Sequence, residues 1–396
     1  MVGLYRDMSK LYQIEILNIS MEKVAEVINP YPLNNQGMIL RYSNELSDYG
    51  TCTFRIANED PLFTTFGDIV IPHKYHIRIR RKGAIVWRGA IIDNPSRNKN
   101  YVEVKAAEYL FYFDKKRVNR DAETVAGDGK NNYRLFNTGT MSSVVTTVIN
   151  EMKAGFGTNH ILAAMTLGTI ENPNYPNNFA TPAGVTLTGA WNFSTDVVMQ
   201  FDYHTVLHVL KSFGAVSNAD FDLDENLVFT FKRFYGTVRL EMGFVYGTFG
   251  NIINYDVPRY GQRMVNDYYG LATDDKGGLL RIQETDSTSI STYGLMESST
   301  AFSDVINNNI LRARLKEELG LLKTPDSAPI NITLDDKTWP IGTWGVGDII
   351  NVKVKDGIID FNGPRRIVGI TTTVHNTGKE LAYVQTNKPR DDQLGA

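Results

Sequence analysis

Residues 73–109 read HKYHIRIRRKGAIVWRGAIIDNPSRNKNYVEVKAAEY, and their pattern limits the kind of fold that this chain can adopt. Apolar and polar residues alternate in three runs, which Lys82-Gly83 and Asn94-Pro95 separate. A period of two residues is typical of half-buried β-strands, and Gly, Asn and Pro are typical of the turns between them. The stretch therefore predicts three short antiparallel strands joined by turns.

The same alternation extends to the runs LYQIEILNI and TCTFRIA, which lie nearer the N-terminus. In the second run, Cys52, Phe54 and Ile56 share one face of the predicted strand. Six or more short strands with frequent turn signals are typical of a barrel or a sandwich. We predict a first β-barrel domain over residues 1–118.

The composition narrows the class of protein. The 396 residues include 41 Lys and Arg and 44 Asp and Glu, so the net charge is −3. A charge this close to balance does not indicate a protein specialised for binding nucleic acid or membranes. Cys52 is the only cysteine, which excludes an intrachain disulfide framework and a cysteine metal cluster and favours a small buried side chain there. No apolar run approaches the ~18 residues that span a bilayer, and no signal peptide is indicated.

The middle of the chain has a different character. Residues 119–200 contain few charges and many Gly, Asn, Thr and Pro residues, which predicts a loop-rich inserted domain with one helix at 141–154. Residues 201–250 predict a helix that ends at Gly214, followed by a β-hairpin in DFDLDENLVFTFKRF.

Strand patterns return in residues 251–396, for which we predict a second β-barrel domain. This domain includes a helix at 303–322, with Ser303 as the candidate N-cap. The predicted fold class is mainly β with α+β insertions.

The two ends of the chain share a weak internal repeat. Residues 67–106 and 347–386 align without a gap and show eight identities over 40 positions. The identical positions are Gly67/Gly347, Asp68/Asp348, Ile69/Ile349, Ile79/Ile359, Gly83/Gly363, Gly89/Gly369, Lys99/Lys379 and Val104/Val384. The repeat indicates two similar β-barrels in one chain, and the alternative is a coincidence between two sheets with similar hairpins.

No catalytic or metal-binding pattern is complete. Asp220, Asp222 and Asp224 resemble the start of a calcium loop, but Glu225 and Phe231 occupy the positions that need Gly and Glu. We interpret them as a hairpin with a solvated acidic face. No catalytic, metal or cofactor residue is therefore assigned.

Two further patterns are weaker still. His204 and His208 have the spacing of a zinc pair on a helix, but no third ligand is identifiable, so a helix surface or partner contact is favoured. Gly129-Lys130 lacks the Ser or Thr that a phosphate loop needs.

One charged run is a candidate contact surface. On a strand, Lys74, His76, Arg78 and Arg80 share one face. This face could contact a partner or passing nucleic acid, or it could be a solvated sheet surface that discourages edge pairing.

The order of these elements resembles the tail-hub, or baseplate-hub, proteins of tailed bacteriophages. The resemblance lies in SNELSDYGTCTFRIANEDP, in AIVWRGAIIDNPSRNKNYVEVKAAEY, in FDYHTVLHVLKSFGAVSNADFDLDENLVFTF, and in TSISTYGLMESS followed by a long helix and VGDIINVKV. These stretches cover most of the chain except residues 119–200, whose role they leave open.

The resemblance implies a structural virion protein rather than an enzyme. In this family two similar barrels per chain let a homotrimer present a ring of six, which matches a hexameric tail tube to a three-fold central spike or fibre. It further implies a lumen for DNA passage, no cofactor, and a place in the virion tail after assembly in the host cytoplasm. The implied partners are the distal tail or tail-tube protein, the tape-measure protein and the spike or fibre protein.

Two other functions stay open. The aromatic loop at 172–193, with Tyr175, Phe179, Trp191 and Phe193, could form a carbohydrate- or receptor-binding surface at a tail tip, although aromatic residues more often pack. A cell-wall hydrolase is the third hypothesis, and no group of residues supports it.

Overall fold

The structure is a computed structural model, and most of the chain can be described in it. The described residues are 11–118, 133–158, 160–175, 189–193, 198–202, 204–248, 250–258, 261–274, 277–303, 305–324, 329–335, 339–390 and 393. Within them the fold is mainly β with several helices, as the sequence predicts.

The first part of the chain forms strands with two short helices. Their bounds are β1 Tyr12–Leu17, β2 Lys23–Glu26, β3 Pro30–Tyr31, β4 Met38–Glu45, β5 Thr51–Ala57, α1 Pro61–Phe66, β6 His76–Arg81, β7 Ala84–Asp93, β8 Tyr101–Glu108 and α2 Phe111–Lys115.

The middle part mixes short strands with helices. Its elements are β9 Tyr133–Phe136, β10 Gly139–Thr140, α3 Met141–Phe156, a 3₁₀ helix at Ile161–Ala164, β11 Thr166–Ile170, β12 Asn192–Phe193, β13 Met199–Asp202, α4 Val206–Ser217, β14 Asp220–Leu223 and β15 Val228–Lys232.

The last part again consists mostly of strands. Its elements are β16 Val238–Val245, β17 Ile252–Asp256, a 3₁₀ helix at Gly261–Arg263, β18 Asp267–Thr273, β19 Leu279–Thr285, α5 Ser287–Tyr293, β20 Glu297–Ala301, α6 Asn308–Leu322, β21 Ile330–Leu334, β22 Ile349–Asp356, β23 Ile359–His375 and β24 Glu380–Asn387.

Side-chain caps set the starts of the helices in the middle part. The hydroxyl oxygens of Thr140 and Thr205 each accept a backbone N–H from the first turn of α3 and α4, at 3.2 Å in both cases. The predicted helix at 141–154 is confirmed, but α4 continues past Gly214 to Asn218, which adopts the left-handed conformation that ends a helix.

The predicted start of the last helix is wrong. Ser303 is not the cap, because Val305 is buried and forms an extended bridge with Met199, and α6 begins only at Asn308. Asn307 is the N-cap, since its side-chain oxygen accepts the N–H of Asn309 at 2.7 Å.

Strand order repeats between the two ends of the chain. One sheet runs β17-β21-β24-β23-β4-β5-β8-β7-β6-β1-β2, with β22 beside β23 and β16 beside β22. The first half therefore has the order β4-β5-β8-β7-β6, and the second half has the matching order β17-β21-β24-β23-β22. Every pair within these two series is antiparallel.

The repeat in sequence is only partly a repeat in structure. Val104 and Val384 lie at matching points on β8 and β24, but Gly83 lies in the β6–β7 turn whereas Gly363 lies inside β23. β7 has a β-bulge after Ile91 in its ladder with β8, and β23 has the matching bulge after Ile367 in its ladder with β24. These two positions are 276 residues apart, whereas the sequence repeat has a spacing of 280, so the two halves align only with gaps.

Three hydrophobic clusters hold the chain together. One consists of first-half residues together with Val374 of β23, and a second combines strands β16, β17 and β21–β24 with Ile341 and Trp344. The third combines α2, α3, α4 and the β14–β15 hairpin with β18–β20 and α6. This packing divides the chain differently from the predicted boundary at residue 251, because α6 and β18–β20 join the middle of the chain.

Candidate functional site

The predicted basic face does not form a free cationic surface. Lys74 precedes β6 and is exposed, His76 is buried, and the guanidinium groups of Arg78 and Arg80 both bond the Glu15 carboxylate on the neighbouring strand β1. Burial acts to raise the pKa of Glu15, but the hydrogen bond and charge of Arg78 outweigh it and lower that pKa. The carboxylate therefore stays ionised and offsets part of the positive charge.

His76 faces an aromatic pocket. Neither ring nitrogen has a hydrogen-bond partner among the described residues, and the Tyr109 ring centroid lies 5.6 Å away. Burial, followed by the nearby imidazoles of His160 and His73, lowers the pKa of His76 to about 4. The side chain is neutral near pH 7 and belongs to the packing of the first half.

The predicted aromatic binding surface is wrong for two of its four residues. Trp191 and Phe193 are 0% and 2% exposed, because both belong to the third hydrophobic cluster, where the Phe193 ring packs against Trp191 and Phe213. Tyr175 lies beside Trp191 and donates its hydroxyl to the carbonyl oxygen of Asn192 at 2.6 Å. Phe179 lies outside the described residues.

The acidic hairpin has structural contacts. Asp220 forms a buried ion pair with Arg366 at 2.5 Å, Asp222 accepts the hydroxyl of Tyr235 at 2.6 Å, and Asp224 accepts backbone N–H groups in the turn. The predicted hairpin is present, but its predicted solvated acidic face is wrong for Asp220, which is buried in its ion pair with Arg366.

The remaining candidate residues from the sequence do not form a complete metal or catalytic site among the described residues. The rings of His204 and His208 stack with centroids 4.3 Å apart, and among the described residues no group of three His, Cys, Asp or Glu side chains could hold a metal. Cys52 is buried as expected, and burial raises the pKa of its thiol. Gly129-Lys130 lies outside the described residues, and within the described ranges no helix is both long and apolar enough to cross a bilayer.

The feature that sequence reasoning missed is the seam between the two halves, which we define as the antiparallel ladder of β4 with β23. Its register runs from Gly369 opposite Glu45 to Val374 opposite Leu40. β22 covers the first part of β23, and β4 takes over the same edge beyond the bulge at Ile367. The seam thus joins the two repeated sheets edge to edge.

Two buried ion pairs stabilise this junction. Arg81 on β6 binds Glu380 on β24 in a bidentate arrangement, at 2.8 and 2.6 Å, and also donates to the Ile341 carbonyl at 2.7 Å. The Arg366–Asp220 pair connects β23 to the hairpin. No local pattern predicts these pairs, because their partners are 299 and 146 residues apart.

Carboxylates also gather where the hairpin meets both halves. A cavity of about 100 Å³ is lined by Glu45, Glu108 and Asp222, together with Arg88 and Val346. Burial raises the pKa of Glu45 to about 7, of Glu108 to about 8 and of Asp222 to about 6. These raised pKa values predict that the carboxylates of the junction change their charge between about pH 6 and 8.

This fold is shared with solved phage tail proteins. The tail protein from Neisseria meningitidis MC58 matches with a TM-score of 0.59 and 12% identity, over 95% of this chain and 96% of that chain. The 43 kDa tail protein of prophage MuSo2 from Shewanella oneidensis matches with a TM-score of 0.61 and 13% identity, over 96% and 98% of the two chains.

A third structure, the prophage tail protein gp18 from Listeria monocytogenes EGD-e, has a TM-score of 0.54 and 10% identity, over 97% of each chain. No family model matches the sequence, and no curated protein matches it. The fold expected from the sequence resemblance is thereby confirmed, across nearly the whole length of these tail proteins.

Proposed function

We propose that this chain, which has the fold of phage tail proteins, is a structural component of a phage-type tail: a homotrimeric hub that adapts six-fold to three-fold symmetry. The single observation that carries the proposal is the repeated strand order, β4-β5-β8-β7-β6 and β17-β21-β24-β23-β22, in one chain. The role is mechanical and requires no catalytic residue.

Bridges within each half support the idea that each repeat is a closed barrel. In the second half, Tyr246 at the end of β16 pairs with Ile252 at the start of β17, so six strands follow one another around the second cluster. In the first half, β3 pairs with β5 through Pro30 and Ile56 while the preceding strand β2 pairs with β1. A closed sheet leaves no open edge on its own barrel.

The symmetry argument follows from this duplication. Three copies of a chain with two similar modules present six modules around one axis, while the assembly itself has three-fold symmetry. Such an adapter would lie between a hexameric tail tube and a three-fold spike or fibre, with a central lumen for DNA. The proposed partners are the distal tail or tail-tube protein, the tape-measure protein and the spike or fibre protein, in a tail assembled in the host cytoplasm.

The basic residues of β6 remain a proposed contact surface, now with a smaller charge. Because Glu15 lies between Arg78 and Arg80, these three side chains carry a net charge of +1. A face of this kind suits a polar protein partner better than tight binding of phosphate, which needs several unpaired cations.

The proposal is tested by the size and shape of the full-length chain. Light scattering during gel filtration should give three times the 44.5 kDa chain mass, and negative-stain images should show a ring with six similar modules. A chain that stays monomeric at every concentration, alone and with a tail-tube protein, would overturn the proposal, and so would an oligomer without a central opening.

A further inference from the structure

Three histidines surround one aromatic segment where the first half of the chain meets the middle. His73 lies in the turn before β6, His76 begins β6, and His160 directly precedes the 3₁₀ helix at Ile161–Ala164. Each of the three rings contacts an aromatic residue within 109–112, the segment that joins β8 to α2. We call these three side chains the imidazole cluster.

His76 is the most buried member of the cluster. It is 1% exposed, and neither ring nitrogen has a hydrogen-bond partner among the described residues. The ladders of β6 place it on the same face as Arg78 and, opposite it on β7, Arg88, while the Glu15 carboxylate on that face already binds Arg78. A proton on His76 would therefore bury a positive charge near other cations, which is unfavourable.

His160 makes the corresponding contact from the middle of the chain. Its ring stacks on Phe156 at a centroid distance of 4.2 Å and meets the Tyr112 ring edge-on at 4.5 Å. Its Nδ1 atom accepts the N–H of Leu162 at 3.2 Å and so caps the 3₁₀ helix. Only an unprotonated nitrogen can accept this bond, so a proton at Nδ1 removes the cap.

His73 adds a third imidazole at the surface, where α2 supplies the other charged groups. The His73 side chain is exposed, and its ring lies nearly parallel to that of Phe111 at a centroid distance of 6.2 Å. The Lys115 ammonium group lies over the Phe111 ring at 4.8 Å, and the Asp114 carboxylate lies 3.8 Å from that ammonium group. The cation of Lys115 thus lies on the same ring as His73.

The charges around the cluster all oppose protonation of its buried rings. Burial, followed by the imidazoles of His160 and His73, lowers the pKa of His76 to about 4, and burial together with His73 lowers the pKa of His160. The phenols of Tyr109 and Tyr112 offer no negative charge near neutrality, because burial raises the pKa of both, that of Tyr112 to about 12.

We propose that the imidazole cluster is a pH-sensitive switch: unprotonated, it packs the turn before β6 and the 3₁₀ helix against residues 109–112, and protonated, it releases them. Histidine is the side chain whose ordinary titration range makes such a device work near neutrality. The inference goes beyond the proposed function, because it concerns a contact inside one chain and holds for any oligomeric state.

The sign of the effect follows from linkage. The open arrangement binds more protons, because an exposed imidazole has a pKa near 6.5 whereas that of buried His76 is about 4. The closed arrangement is therefore fully favoured above about pH 6.5 and loses stability as pH falls towards 4. The constant for an opening that exposes His76 should be up to about thirtyfold larger at pH 5 than at pH 7.5.

Hydrogen exchange of the full-length chain, read by mass spectrometry at pH 7.5 and pH 5 and corrected for the intrinsic exchange rates, measures this opening. Peptides that cover residues 109–115 and 160–165 should lose protection by up to about thirtyfold at pH 5, whereas peptides from β24 should not. The buried carboxylates Glu45, Glu108 and Asp222 cannot mimic this result, because their raised pKa values make acidification stabilising.

Two substitutions remove the switch without removing its packing. H76F keeps a ring beside Tyr109 and should abolish most of the loss of protection at pH 5. H160N keeps an acceptor for the Leu162 N–H and should reduce the loss. The matched control is H375N at the end of β23, whose ring lies 3.3 Å from the Gln36 carbonyl, and it should behave as the wild type.

Equal protection of the wild type at both pH values would overturn the switch, and so would an H76F chain that keeps the wild-type loss. If H76F does not fold at pH 7.5, a nuclear magnetic resonance titration of histidine-labelled wild type decides. A His76 signal that titrates together with the loss of protection supports the switch. A signal that titrates while residues 109–115 stay protected overturns it.

Discussion

The bidentate pair of Arg81 and Glu380 gives the sharpest test of how the two halves are held together. Both side chains are nearly buried, at 8% and 3% exposure, and the carboxylate lies 2.6 Å from one guanidinium nitrogen and 2.8 Å from another. The variant Glu380→Gln keeps the shape of the side chain and removes its charge. It leaves the charge of Arg81 buried without its carboxylate, while the guanidinium still donates to the Ile341 carbonyl at 2.7 Å.

The expected cost is large because the arginine stays desolvated. Breaking one partner of a buried pair costs about 3–5 kcal/mol, against a total stability of about 5–15 kcal/mol for a typical domain. Replacing both partners with apolar residues, as in R81M/E380L, should recover most of that loss, because no unpaired charge remains. The matched control is D360N, which breaks the exposed pair with Lys355 and should change stability by less than ~0.5 kcal/mol.

Urea unfolding followed by circular dichroism measures these differences, at one protein concentration for all variants so that assembly contributes equally. With three hydrophobic clusters, more than one transition can occur, and the effect should fall on the transition that separates the two halves. A loss of under about 1 kcal/mol for E380Q, comparable with D360N, would refute the idea that this pair clamps the halves together.

Three further predictions follow from single residues. The pKa of Glu108 is raised to about 8 in the folded chain, so its contribution to stability is fully present below the pKa of the unfolded chain and is lost as pH rises through 8. Because Glu45 and Asp222 titrate in both proteins, the wild type should lose up to about 4 kcal/mol more stability than E108Q between pH 5 and 9; parallel urea midpoints for the two proteins would contradict this. W191A should cost about 3–5 kcal/mol in urea unfolding because the ring is buried, whereas an unchanged midpoint would return the residue to a surface role. G347A should cost at least about 2 kcal/mol, because its φ is +88° and a Cβ would overlap the Tyr235 carbonyl, while G345A has open space and should be nearly neutral in the same assay.

Sequence periodicity predicts individual strands well because it depends on near neighbours. The runs around β5, β6, β7 and β8 form strands as expected, and the predicted hairpin is present, with Phe221 opposite Phe231. Helix caps are predicted less reliably from the sequence. Ser303 is a suitable N-cap residue, but Val305 packs in the third cluster, and the helix begins only at Asn308.

The candidate surfaces show where pattern reasoning stops. A strand pattern places Arg78 and Arg80 on one face correctly, but it does not reveal that Glu15 lies between them on a neighbouring strand. Likewise, an aromatic residue in a polar loop can be exposed or buried. Trp191 is buried because it belongs to a cluster that also contains residues distant in sequence, such as those of α3 and α6.

The amino-acid sequence alone determines the β class of this protein and its hairpins, since each depends on alternation and turn residues within a few positions. Only the tertiary structure decides that β23 leaves β22 for β4, that Arg81 meets Glu380 and that the repeats align with gaps. These contacts join residues up to 299 positions apart. They form because a buried strand edge or a buried charge without a hydrogen-bonding partner is unfavourable, and only the tertiary fold determines which residues lie close enough to supply one.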